Sequence, residues 1–333
     1  MTVYVVVDPL IAKDDSWETH LASLLQGYIE AKGDEDCKVV EVVDIADIKA
    51  LFESKSISNE DKFIFTNAWS SATRYVKHWA ETNQVNVELL GFWTNGCYID
   101  YDKEYKPTTE ITWRKLYEKG SFDCLDKNFF ISKFYADKFK SLQKVTDDKL
   151  HIMPFPLDYL DLEMSMYNGL FNKQNLIVFP WNKYTQLQEA IVYDFIRVHK
   201  GIQIIFAQEH VPLERHQLLR QLSRAKLSLL PYTNPNIGVE IYECILLGTI
   251  PLVPDIEGLR ELVPEEFRYP AEWTSSIFNY SKFAPDMTSK VKELVANYDS
   301  YIELIKQTQD YLFENYFDSE KLINQIFVST KRN

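Results

Sequence analysis

The sequence predicts an α/β protein of two doubly wound domains, and three observations predict it. Short apolar, β-branched runs alternate with helical patterns along most of the chain. The alternation stops near Leu157 and restarts at Leu176. The length, 333 residues, suits two domains of about 150 residues each.

The first series opens with Val3–Val7, a continuous apolar run that reads as a strand buried on both faces. Trp17–Ala31 follows as an amphipathic helix, with Leu21, Leu24, Leu25, Tyr28 and Ile29 at helical spacing and Gly33 just past its end. Lys38–Val43, Lys62–Thr66 and Val87–Trp93 read as strands, with helices over Ile45–Glu53 and Ser70–Thr82 between them. From Asn95 to Pro107 the text is polar and aromatic without a period, which predicts a long loop at a strand end, a frequent place for function. Trp113–Lys119 reads as a helix, Lys127–Ile131 as a strand, Lys133–Leu142 as a helix and His151–Met153 as a short strand.

The second series is Leu176–Pro180 strand, Gln186–His199 helix, Ile202–Ala207 strand, Pro212–Arg224 helix, Leu227–Pro231 strand, Val239–Leu247 helix and Ile250–Val253 strand. The tail from Met287 to Thr330 reads as helical. The boundaries are therefore 1–157, 158–285 and 286–333, the last expected to cross back to the first domain.

Hydrophobic residues make up 46%, enough for two cores. A net charge of −13 argues against a broad basic footprint for nucleic acid, although it leaves room for a local basic groove. Cys37, Cys97, Cys124 and Cys244 form no Cys-x-x-Cys pair, so neither a zinc ribbon nor a disulfide scaffold is expected. Free thiols fit a reducing compartment, and a cytoplasmic location is expected. No stretch approaches the ~20 apolar residues that cross a bilayer, so no membrane partner is expected. There is no G-x-G-x-x-G after Val3–Val7, no Walker A motif and no G-x-S-x-G elbow, which argues against dehydrogenase, P-loop and serine-hydrolase chemistry.

The stretch Leu227–Pro254, LSLLPYTNPNIGVEIYECILLGTIPLVP, carries the most chemistry. It reads as strand, polar loop, helix, glycine stop, strand. Unpaired amides and the helix dipole at the start of that helix attract anions such as a diphosphate. Gly238 allows close backbone approach, and Glu243, one turn in, can accept both hydroxyls of a ribose. In the first series, Asp100 and Asp102 in the long loop offer a carboxylate for proton transfer, and Trp93, Tyr98 and Tyr101 offer rings for stacking.

The run I-G-V-E-I-Y-E-C-I-L-L-G-T-I-P-L-V resembles the donor-binding signature of GT-B glycosyltransferases, F-G, four residues, then E-A-M-A-x-G-x-P-V. Weaker likeness to a bacteriophage subgroup that glycosylates modified DNA bases runs through LLGFWTNG, WRKLYEKGSFDCLDKNFFISKFYADKF, HIMPFPLD, LIVFPW and RQLSRAKLSLLPY. The resemblance implies two Rossmann-like domains facing across a cleft, with a nucleotide-sugar as substrate and no cofactor or metal. It implies Glu243 on the ribose, and Ile237, Gly238, Val239, Asn182 and Lys183 around the diphosphate. It implies Asp100, Asn95 and Asp102 as catalytic candidates, with Trp93, Tyr98 and Lys103 toward the acceptor. The implied acceptor is a hydroxymethylated pyrimidine in DNA, or a sugar already on it. Arg74, Lys77, Lys103, Lys106, Arg114, Lys115 and Lys119 would supply the phosphate contacts. A carbohydrate acceptor is the alternative, and a silent GT-B domain acting as a binding module is another. The chain also departs from the family: Pro235 replaces its first Glu, Asn182 its Arg, and Thr94 or Asn95 the subgroup's His.

Overall fold

The computed structural model describes the chain except residues 9–16, 33–35, 43, 55–56, 95–108, 155, 168–171, 181–184, 199, 207–212, 233–237 and 328–333. It separates into two compact units, one of residues 1–156 with 318–333 and the other of residues 157–317.

The first unit runs β1 (Thr2–Val7), α1 (Trp17–Lys32), β2 (Asp36–Glu41), α2 (Ile45–Glu53), β3 (Lys62–Phe65), α3 (Ala72–Thr82), β4 (Glu88–Trp93), α4 (Thr109–Cys124), β5 (Lys127–Phe130), α5 (Lys133–Gln143) and β6 (Leu150–Ile152). Its six strands pair in parallel in the order β2-β1-β3-β4-β5-β6. Central strands buried on both faces explain the unbroken apolar runs: Val3 to Val6 are at most 2% exposed, and Phe63, Ile64 and Phe65 are fully buried. Tyr4 stacks on Phe63 with ring centroids 4.7 Å apart, and Trp93, Phe130, Phe139 and Phe122 form an aromatic block beside them. The final helix, α12 (Ser319–Phe327), belongs to this unit: Ile323 and Ile326 are buried, and the Tyr28 hydroxyl donates to Asn324.

Gly91 lies at the centre of β4. A Cβ there would meet Leu125 Cδ1 at 2.5 Å and Ala68 Cβ at 3.2 Å, so even a methyl group overpacks the sheet face. Gly91→Ala is expected to cost about 1–3 kcal/mol in urea unfolding. A variant as stable as the wild type would mean that Leu125 relaxes freely.

The second unit runs α6 (Tyr159–Ser165), β7 (Gln174–Phe179), α7 (Gln186–Val198), β8 (Gln203–Phe206), α8 (Arg215–Arg224), β9 (Ala225–Leu229), α9 (Val239–Leu246), β10 (Ile250–Pro254), β11 (Arg268–Tyr269), α10 (Ile277–Ala296) and α11 (Ile302–Tyr316). Its parallel strand order is β11-β10-β9-β7-β8. Gly248 ends α9 as expected, with φ +69°. The Gly248 N–H bonds Ile245 O at 2.9 Å and the Thr249 N–H bonds Cys244 O at 2.7 Å, a Schellman closure. Lys173 Nζ donates to Leu222 O, Leu247 O and Thr249 Oγ1, tying the ends of α8 and α9 together. Burial pulls its pKa down to about 7.

Three elements differ from the sequence expectation. The segment 157–175 carries the short helix α6, whose Leu160 and Met164 are buried one turn apart. Helix α4 spans Thr109–Cys124 rather than Trp113–Lys119. The tail divides into helices on both units: α10 begins at Ile277 behind Ser276, whose hydroxyl accepts from Asn279 N at 3.1 Å, and contains Pro285. Only α12 joins the first unit.

Candidate functional site

In an open parallel sheet, ligands settle outside the carboxyl ends of the strands where the chain reverses its winding. In the second unit that point lies between β7 and β9, because β8 follows β7 on one side and β9 lies on the other. The strand β9 and the helix α9 that follows it lie within Leu227–Pro254, the stretch singled out by the sequence.

Gly238 is the N-cap of α9, with φ −70° and ψ 153°. It has no side chain with which to cap the helix start. A Cβ at 238 would run into the Glu240 carboxylate and come within 3.0 Å of Tyr232 Oη. The Tyr232 hydroxyl donates to Glu240 Oε2 at 3.3 Å. Burial first, then the charge of Glu240, pushes the Tyr232 pKa well above its ordinary value, so this phenol stays a neutral donor.

Glu243 projects from α9 with its side chain 1% exposed. A solvated helix glutamate would not be so placed, and a carboxylate this deep needs a cation. The cation is Arg215, the first residue of α8, whose Nη1 lies 2.7 Å from Glu243 Oε1. Its own side chain is 46% exposed. Next to Glu243, the Cys244 thiol is fully buried and its pKa is pushed up to about 12, chiefly by burial, so it remains protonated.

Of the sequence candidates for the donor, Gly238, Val239 and Glu243 are thus brought to one helix end. Asn182, Lys183 and Ile237 lie outside the described residues, as do Asn95, Tyr98, Asp100, Asp102 and Lys103. Trp93 is a correction. Its ring is fully buried, its Nε1 donates to Asn128 Oδ1 at 2.8 Å, and Phe130 and Phe139 pack on it. The ring has no face left for an acceptor because β4 is an interior strand.

The first unit has its own reversal, between β1 and β3. The sequence reading missed the polar cluster there. Asp8 directly follows β1 and accepts from Ser70 Oγ at 2.8 Å. Glu18, in the first turn of α1, accepts from Asn67 Nδ2 at 3.0 Å and from Thr94 Oγ1 at 3.4 Å. Asp8, Glu18, Asn67 and Ser70 are all buried. The signal was available, since Asp8 and Asn67 come just past two apolar strands, but only the topology makes those strands neighbours across the reversal.

The basic residues proposed for phosphate contact are partly engaged elsewhere. Arg74 lies over the Tyr117 ring at 4.0 Å and donates to Tyr117 O. Lys77 pairs with Glu81 at 3.6 Å, and Lys119 pairs with Asp123. Among the described residues no group of three His, Cys, Asp or Glu is placed to hold a metal ion, and no described helix is long and apolar enough to cross a membrane.

No protein-family model matches the chain, and no curated protein matches it. Solved structures do. A glycosyltransferase from Rickettsia africae aligns with TM-score 0.62 at 11% identity, over 98% of this chain and 97% of that one. Sucrose-phosphate synthase from Thermosynechococcus elongatus aligns with TM-score 0.57 at 12% identity, over 98% and 99%. A point mutant of S. aureus TarM, in complex with fondaparinux, α-GlcNAc-glycerol and UDP, aligns with TM-score 0.58 at 11% identity. That match covers 85% of this chain, which spans only 58% of the TarM chain. At such identities the likeness is one of architecture, and the architecture is the two-domain, Rossmann-like α/β fold of the GT-B type.

Proposed function

We propose that this protein is a glycosyltransferase. It takes its sugar from a nucleoside-diphosphate sugar held at the start of α9 and passes it to a hydroxyl acceptor. One observation carries the reading: at the chain reversal of the second sheet, a glycine-capped helix start stands one turn from a buried carboxylate. A helix N-terminus suits a diphosphate and the carboxylate suits a ribose diol. UDP in the TarM complex supports the same ligand class.

The chemistry asked of the chain is modest. The helix start stabilises the charge that builds on the departing diphosphate, and fixed donors of this kind act most strongly where water is excluded. For the acceptor, a carbohydrate is the better supported choice. The polar cluster of Asp8, Glu18, Asn67 and Ser70 offers carboxylate and amide groups that bind sugar hydroxyls, and two carboxylates would repel a phosphate backbone. A DNA acceptor carrying hydroxymethylated pyrimidines, implied by the sequence resemblance, needs cations that the structure pairs with acids at Lys77 and Lys119.

The test has two stages. Calorimetry with UDP, GDP and ADP should find one nucleoside diphosphate that binds, and the matching nucleotide-sugars should be hydrolysed slowly without acceptor. Incubation with oligosaccharides, hydroxymethylcytosine DNA and plain DNA, followed by mass spectrometry, should add one sugar increment to a carbohydrate. An increment on the modified base alone would restore the DNA acceptor. Binding without turnover of any donor would make the chain a binding module.

A further inference from the structure

Gly238 stands before α9 with φ −70° and ψ 153°, a conformation open to any residue, so the backbone does not ask for glycine there. Space does. A Cβ at 238 would lie 2.1 Å from Glu240 Oε2 and 3.3 Å from Glu240 Cδ. The Glu240 carboxylate therefore sits where the side chain of an N-cap residue would project, folded back over the start of its own helix. That is the place where a helix N-terminus attracts an anion. The two acids of this helix are held differently. Glu243 is 1% exposed and paired with Arg215 at 2.7 Å. Glu240 is half-buried, and among the described residues its carboxylate has one hydrogen-bond partner and no cation. The partner is the Tyr232 hydroxyl at 3.3 Å, long for an O–H···O bond.

We infer that Glu240 is an autoinhibitory residue: in the empty protein its carboxylate occupies the anion position at the start of α9, and the donor displaces it in order to bind. The inference rests on the donor reading of α9. A diphosphate and a carboxylate cannot share one helix start, because the phosphates would bring like charge into contact with the acid. The carboxylate is free to leave. Its tie to Tyr232 is a single long bond, and another rotamer returns it to water. Gly238 serves both states, since the room it leaves for the carboxylate is room for a phosphate afterwards. The empty helix is thus capped by one of its own residues, which keeps a negative group at the positive end of the dipole. The cost falls on affinity. The diphosphate binds more weakly than the helix start alone would allow, in donor and product alike, so the spent nucleotide does not hold the site.

Calorimetry and thermal melting of the full chain decide it, with wild type, Glu240→Gln and Glu240→Ala each titrated with UDP and uridine, GDP and guanosine, and ADP and adenosine. For the base that binds, both substitutions should tighten the diphosphate about 3- to 30-fold, the range for a charge at a helix terminus, and leave the nucleoside within about twofold. Without ligand, both variants should melt below wild type, because the helix start loses its own anion. The opposite signs are the signature. A residue that only caps the helix would lower the melting midpoint and the affinity together. A residue that repels the phosphates from a distance would raise the affinity and leave the midpoint unchanged. Either result overturns the inference, as does unchanged affinity. Glu240→Gln keeps the size of the side chain and decides alone should Glu240→Ala fail to fold. The titrations are repeated with Mg2+ and with EDTA. If Mg2+ tightens the diphosphate in wild type and not in Glu240→Gln, the carboxylate stays in place and shares a cation with the phosphates, which overturns displacement. Wild-type protein that binds no diphosphate while Glu240→Gln binds one would be displacement at its strongest. Silence of all three proteins toward every ligand would overturn the donor reading and this inference with it.

Discussion

Glu88→Ala should destabilise the first unit by about 3–5 kcal/mol, the range for stripping the partner from a buried charge. Lys62, Glu88 and Lys127 open three adjacent strands, β3, β4 and β5, and Glu88 is the carboxylate shared by both lysines. Lys62 Nζ is 2.5 Å from Glu88 Oε2 and Lys127 Nζ is 3.4 Å from Oε1. The two lysine side chains are only 7% and 2% exposed. The excess positive charge is met by α12. Lys127 Nζ donates to Ile326 O at 3.3 Å, where the carbonyl end of that helix is negative, and Lys62 Nζ lies 5.8 Å from the centre of the Phe327 ring. Without Glu88, two buried ammonium groups lose the carboxylate they share.

The loss should also depend on pH. Burial holds the Lys127 pKa below its ordinary value, with Glu88 the largest influence in the other direction. Between the folded and unfolded pKa values the unfolded chain binds more protons, so stability rises with pH across that window. Removing Glu88 drops the folded pKa further and widens the window downward. The deficit of the variant should therefore be greatest near neutral pH and shrink toward the ordinary lysine pKa. Urea unfolding at neutral and alkaline pH measures it, with hydrogen exchange at β4 and β5 assigning the transition to this unit. A loss below about 1 kcal/mol, the scale of an exposed pair, would mean that water reaches the site.

How much of this was legible in the sequence varies from element to element. The strands were legible because parallel strands covered on both faces are unbroken apolar runs, as at Val3–Val7 and Phe63–Phe65. Gly248 was legible because a helix end that needs positive φ selects glycine. Helix α4 was read short. Gly120 looks like a stop, yet it lies mid-helix, where a Cβ would meet Arg74 Nη2 at 2.7 Å, so the glycine makes room for a guanidinium from α3. Trp93 was misread because an aromatic residue at a strand end next to a polar loop looks exposed, and nothing local says that β5 covers it. The Lys62–Glu88–Lys127 group and the cluster of Asp8, Glu18, Asn67 and Ser70 were out of reach for the same reason. Their members come together through strand order, and strand order is not written in any local window. Glu243 is the intermediate case: its position in the motif was readable, and its burial and its pairing with Arg215 were not.

Glu243→Ala should weaken binding of the preferred nucleoside diphosphate by about 1.5–3 kcal/mol, the range for hydrogen bonds to a charged group. The carboxylate is fixed before any ligand arrives, since it is 1% exposed and held by Arg215, so little ordering cost offsets its bonds. Stability should fall less than affinity. Arg215 is 46% exposed and can turn to water once its partner is gone, whereas the reverse deletion strands a buried anion. Glu243→Gln separates charge from shape, because it keeps one acceptor oxygen and adds donors that cannot serve a ribose hydroxyl in the same way. A cycle with the 2′-deoxy nucleoside diphosphate isolates the contact itself. If Glu243 holds the ribose, wild type should lose affinity for the deoxy ligand and Glu243→Ala should lose almost none, because residue and hydroxyl then act as one pair. If the two losses add instead, Glu243 acts on something other than the ribose. If the Ala variant binds every nucleoside diphosphate as wild type does, Glu243 is a buried structural partner of Arg215, and α9 is not the donor site.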